Sequence, residues 1–173
     1  NNRQRRHVSV REERLKVLLI EGAPRYEFRY LKQWLERDTS VELKTLLADA
    51  DPEYAEEDRT AIPYFPVKRE ELDKFDVVIL GDVSLVQLGA AAPEWLVSFV
   101  RERGGGVILI SGPKANPRGW AGSPLEYLLP VPTESLAGLK PPSEATEPYT
   151  PQLTIDGKKG GPMFRFAESE AAS

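Results

Sequence analysis

Leu15-Lys16-Val17-Leu18-Leu19-Ile20-Glu21-Gly22-Ala23-Pro24-Arg25 is the stretch that decides the fold. An apolar run closes in an acid and a glycine, and a proline then introduces a segment with helical patterning. A continuous Val/Leu/Ile run of this length suits a parallel strand buried on both faces. Phe28, Leu31, Trp34 and Leu35 follow at i, i+3, i+6 and i+7, which predicts a helix from Pro24 to Arg37 with one apolar stripe. Pro24 fits the first helical turn, where its missing N–H costs nothing. Ligands of open α/β sheets lie beyond the carboxyl ends of the strands, so this turn also marks where a site is expected.

The same pattern repeats outward from this unit. Val41–Leu47 reads as a second strand, Phe75–Asp82 as a third closed by Gly81 and Asp82, and Val107–Ile110 as a fourth broken by Ser111-Gly112-Pro113. Lys68–Lys74 reads as a helical turn, and Val83–Gly89 as a loop or short helix. Ala92-Pro93-Glu94 opens a second long helix with Trp95, Leu96, Phe99 and Val100 on its apolar face. Arg101, Arg103 and Gly104-Gly105-Gly106 end it, with cations favouring the dipole and glycine a left-handed cap. Trp34, Trp95 and Phe99 are expected in the core. Trp120 sits in a loop and fits either a packed lid or an exposed contact. Ser123-Pro124-Leu125-Glu126 reads as a capping box. Strands alternating with helices give a parallel sheet with helices on both faces, and right-handed crossovers make the strand order 2-1-3-4.

Three regions follow: an arm at 1–14 that could end a preceding domain, an α/β domain at 15–132, and a Pro-rich extension at 133–173. The extension contains a β-hairpin over Leu153–Phe166 and a disordered end. The chain has 173 residues, net charge -4, no cysteine and one histidine, His7. Disulfides, thiolate metal sites and cysteine nucleophiles are thereby excluded. The acidic balance lacks the basic stripe of a nucleic-acid surface, and no apolar run approaches a membrane span. The acidic loop Asp49, Asp51, Glu53, Glu56, Glu57 and Asp58 lacks the spacing of a calcium loop. Gly104–Gly106 precedes a strand and does not open a helix, which is the wrong context for a phosphate loop. No metal or cofactor is expected. The absence of an initiator Met reads as a piece cut from a longer protein.

Two segments carry a family resemblance: Glu21-Gly-Ala-Pro-Arg-Tyr-Glu-Phe-Arg-Tyr-Leu31, and Gly104-Gly-Gly-Val-Ile-Leu-Ile-Ser-Gly-Pro113 with the following Trp120-Ala-Gly-Ser-Pro-Leu-Glu-Tyr-Leu-Leu-Pro130. Together they resemble the divergent class I glutamine amidotransferase-like domain, over about residues 15–132. The resemblance implies a three-layer αβα flavodoxin-like fold. It also implies a setting in large bacterial membrane proteins beside von Willebrand factor A modules, so a membrane-associated parent protein is expected. Its partners would be other domains of that protein or separate proteins, with no direct membrane insertion by this chain.

Active members of that class use a Cys at a strand-to-helix elbow with a downstream His and Glu. Ser111 or Gly112 stands at the matching position here, and His7 lies upstream of the fold. A nucleophile needs a base within hydrogen-bond reach, so the expectation is a non-catalytic domain used for ligand binding or assembly. The alternatives are a hydrolase using Ser111 with Lys114, Glu21 or Asp82, and a receiver-like phosphoacceptor using Asp82. The expected ligand rim comprises Glu21, Gly22, Arg25, Asp82, Ser111, Gly112 and Lys114, with weak anion binding. Glu21 is expected to favour the adjacent helix N-terminus rather than act as a site acid.

Overall fold

A computed structural model describes residues 13–51, 53–137, 154 and 155. The chain divides into two compact units, 1–141 and 142–173. The expected hairpin, the disordered end and nearly all of the arm and the Pro-rich extension lie outside the described residues.

The opening run forms β1 (Leu15–Glu21), whose last five residues are all buried. The chain then builds α1 (Tyr26–Arg37), β2 (Val41–Leu47), α2 (Tyr54–Glu57), α3 (Arg69–Leu72), β3 (Val77–Leu80), α4 (Leu85–Leu88), α5 (Ala92–Arg101) and β4 (Gly106–Leu109). Two 3₁₀ turns, Arg118–Trp120 and Pro124–Leu128, and a last helical turn, α6 (Glu134–Ala137), follow. The four strands are all parallel in the order β2-β1-β3-β4, with helices on both faces. This is the α/β arrangement the alternation predicts, consistent with a flavodoxin-like fold.

The period-2 alternation of the strands sorts their side chains between two cores. Leu18, Ile20, Val78 and Leu80 join Leu96, Phe99, Trp120 and Leu125 on one face. Val17, Leu19, Leu43 and Ile79 meet Phe28 and Leu35 of α1 on the other. Gly105 lies so close to the Phe99 ring that any Cβ there would overlap it, so the turn into β4 packs directly on α5.

Several expectations are corrected. Trp34 is 67% exposed, not core. At about 100° per residue it lies about 240° round the helix from Phe28, beyond the arc that reaches the sheet. Helix α1 begins at Tyr26, not Pro24: Arg25 is its N-cap, extended at φ -75, ψ 168, a conformation that leaves its side chain at Glu21. The Ser123–Glu126 capping box does not form. Ser123 Oγ donates to Trp120 O, and Glu126 reaches past it to accept the Gly122 N–H. A complete capping box stands instead at Ser84 and Gln87, opening α4. Trp120 is neither a lid nor an exposed contact. It is fully buried, with its indole N–H donated to Val83 O at 2.9 Å.

Candidate functional site

The parallel register brings the ends of β1, β3 and β4 to one edge of the sheet. Glu21 closes β1, Gly81 and Asp82 follow β3, and Ser111 and Gly112 follow β4. Every residue of the expected rim is therefore gathered at the carboxyl edge. What the structure adds is how the two acids are used.

Glu21 is 2% exposed and points back over the strand ends. Its carboxylate accepts the Asp82 N–H at 2.7 Å, the Gly22 N–H at 3.2 Å and Arg25 Nη2 at 2.9 Å. It does not cap α1, whose N-cap Arg25 has no side-chain capping bond. Arg25 extends its other nitrogen to the Ser111 carbonyl at 3.3 Å, so one guanidinium links β1 to the loop after β4. Burial pulls the Arg25 pKa down, but the hydrogen bond and charge of Glu21 outweigh it and hold the guanidinium more firmly protonated than usual.

Asp82 is likewise buried, at 5% exposure. It accepts three successive backbone N–H groups: Lys114 at 2.9 Å, Ala115 at 2.7 Å and Asn116 at 3.0 Å. Successive N–H groups turned inward form an anion-binding concavity, and here the anion is the chain's own carboxylate. Burial pushes the Asp82 pKa up, but these three donors, aided by Arg25, bring it below the usual value. Asn116 is itself buried and donates to the carbonyls of Gly81 and Ile110. Sequence reading missed Asn116, whose only signal is its place in a loop following a strand end.

The glycines at this edge are explained by the two acids. A Cβ on Gly81 would collide with the Glu21 carboxylate, one on Gly112 with the Asp82 side chain, and one on Gly22 with the Asp82 carbonyl. The room over Gly81 and Gly112 is taken up by the Glu21 and Asp82 side chains. Ser111 and Lys114 are exposed on the outside of this arrangement. Ser111 contributes its carbonyl to it, and Lys114 its backbone N–H.

A hollow of about 420 Å³ lies beside it, beyond the end of β2. Leu46, Ala48, Tyr54, Ile62, Phe65 and Leu88 supply its apolar wall, with Asp51 and Gln87 as polar members. Ile62, Pro63, Tyr64 and Phe65 form one side of it. Gln87 is fixed by donating to Asp49 at 2.5 Å while accepting from Ser84. Across the acidic loop, Asp58 pairs with Lys32 at 3.0 Å and accepts from Tyr54 and Thr60. Burial raises its pKa, but those donors overcome it and hold the carboxyl far below the usual range. Among the described residues no three His, Cys, Asp or Glu side chains gather as a metal-ligand set.

Comparison of the chain with protein-family models, with curated proteins and with solved structures finds no match.

Proposed function

We propose that this chain is a non-catalytic α/β module of a larger protein, serving ligand binding or assembly. Its resemblance to class I glutamine amidotransferase-like domains concerns the scaffold, not the chemistry. The observation that carries the reading is the internal use of Glu21 and Asp82. A general base or phosphoacceptor must present free lone pairs to its substrate. Each of these carboxylates is instead buried, and accepts from the chain itself three of the about four hydrogen bonds a carboxylate can take. For the hydrolase alternative, Ser111 would need a base at its hydroxyl. Of the partners it would use, Glu21 and Asp82 are committed to the bonds above and Lys114 joins them through its backbone N–H, while Ser111 joins through its backbone carbonyl.

The same accounting argues against an anion at the rim. The Arg25 charge is already balanced by Glu21 at 2.9 Å and approached by Glu27 at 4.0 Å. Phosphate binding there is expected to be no tighter than about millimolar, equivalent to about 4 kcal/mol. A small molecule with both polar and apolar parts in the hollow beyond β2 fits the ligand-binding side of the proposal better, because the hollow is concave and sets the fixed amide of Gln87 beside apolar side chains.

The test is a coupled ammonia assay with glutamine on the purified chain, which is expected to give no rate above buffer. A turnover that disappears in Ser111→Ala would overturn the non-catalytic reading.

A further inference from the structure

Helix α1 buries one side and carries a row of three aromatics on the other. Phe28 and Leu35 are buried against β1 and β2, with Leu31 beside them. Tyr26, Tyr30 and Trp34 form a ridge at i, i+4 and i+8 on the outward side, at 74%, 68% and 67% exposure. The ridge shares that side with exposed Glu27, Gln33 and Arg37, and an exposed apolar patch rimmed by polar residues marks an interaction surface.

The sheet beneath has the matching deficiency. The large buried side chains Leu72, Leu88, Leu96, Phe99, Trp120 and Leu125 pack on the opposite face. On the α1 face, among the described residues, only α1 contributes helical side chains to the buried core. Ile108 on the β4 half is 51% exposed, and Ile110 lines an apolar trough of about 500 Å³ with Tyr26, Tyr30, Leu31 and Trp34. A parallel sheet is ordinarily covered on both faces.

We infer that this face joins a second copy of the chain through a two-fold axis lying in the α1 layer. Each α1 would rest its inner side on its own β1 and β2, and its aromatic ridge on β3 and β4 of the other copy. The two helices would form one shared layer between two sheets. The surface is self-complementary, as a two-fold interface requires: among the described residues, each chain offers one helix with an exposed aromatic side and one half-sheet with no helix on that face. An aromatic side chain buries about 150–250 Å², so three at these exposures offer on the order of 400 Å² per chain. With the trough floor this reaches roughly 600 Å² per chain, the lower end of the range for specific complexes, which total about 1,200–2,000 Å². This deepens the assembly side of the proposed function and rests on it. The ammonia assay and the oligomer measurement can fail independently, so the two failures are distinguishable.

The experiment is sedimentation velocity on the full chain from low micromolar to several hundred micromolar. A concentration-dependent dimer is expected. Trp34→Glu and Ile108→Lys should each weaken it at least about tenfold, as loss of an interface anchor does. Val86→Lys, at a residue 91% exposed and outside this face, should leave it unchanged. Because Trp34 is exposed in the single chain, Trp34→Glu should keep the far-UV circular dichroism and melting temperature, even if Ile108→Lys does not. A monomer throughout the range would overturn the inference, whether the trough is then open or covered by another segment. A dimer indifferent to Trp34→Glu would overturn it equally.

Discussion

Glu21 holds two backbone N–H groups and a guanidinium at once, in a place with almost no access to water. Removing it strands two buried N–H groups, each costing about 1–3 kcal/mol when unsatisfied, and leaves the partly exposed Arg25 without its partner. Glu21→Ala is expected to destabilise the fold by about 2–6 kcal/mol, measured by urea unfolding. Asp82 makes a related prediction with a pH signature. Its folded pKa lies below the ordinary value because the three backbone donors prefer the charged form. The stability it contributes is therefore fully present above the unfolded aspartate value of about 3.9, and is lost as pH falls through the lower folded value. Asp82→Asn should lower stability at neutral pH by about 1–3 kcal/mol. It should also flatten the acid side of the stability–pH curve. An unchanged acid slope would show that Asp82 is not held as described.

At the scale of elements, the turn after each strand is set by what lies across from it. Gly112 faces the Asp82 side chain with no room for a methyl group, whereas Gly119 has its nearest neighbour, Ala115 Cβ, at 4.0 Å. Gly112→Ala should cost about 1–3 kcal/mol through overpacking, and Gly119→Ala should fall within about half a kcal/mol of the parent. Thermal melts of the pair separate a steric requirement from a general intolerance of alanine in the loop. Helix α1 shows the converse, a pattern satisfied on one side only. Its stripe reads correctly as far as Phe28, Leu31 and Leu35, but Trp34 counts as core only if six residues on is still the same face. Capping follows the same logic of available partners. Ser84 and Gln87 complete their box, while Ser123 and Glu126 have the right spacing and find other partners in Trp120, Gly122 and Thr133.

For the molecule as a whole, β1 and β3 serve both cores, because alternate residues of one strand face opposite layers. Leu19→Ala and Ile79→Ala on the α1 face, and Phe99→Ala on the other, are each expected to cost about 2–5 kcal/mol. All three should lower a single unfolding transition, seen coincidently by tryptophan fluorescence and far-UV circular dichroism. Two separate transitions would show that the faces unfold independently. The sequence by itself determined the sheet. Runs of Val, Leu and Ile, spaced by helical patterns, leave few ways to bury two faces, and right-handed crossovers reduce those to the order β2-β1-β3-β4. It also located the carboxyl edge where Glu21, Arg25, Asp82 and Ser111 meet, since strand ends are fixed once strands are. Only the tertiary structure decided what those residues do there. A carboxylate at a strand end is the same letter whether it faces a ligand or the next turn's N–H groups. The choice depends on donors at Lys114, Ala115 and Asn116, more than thirty residues from Asp82. The same holds for the tryptophans: Trp120 is buried and Trp34 exposed because burial depends on which layers exist above a residue, and periodicity records only its direction.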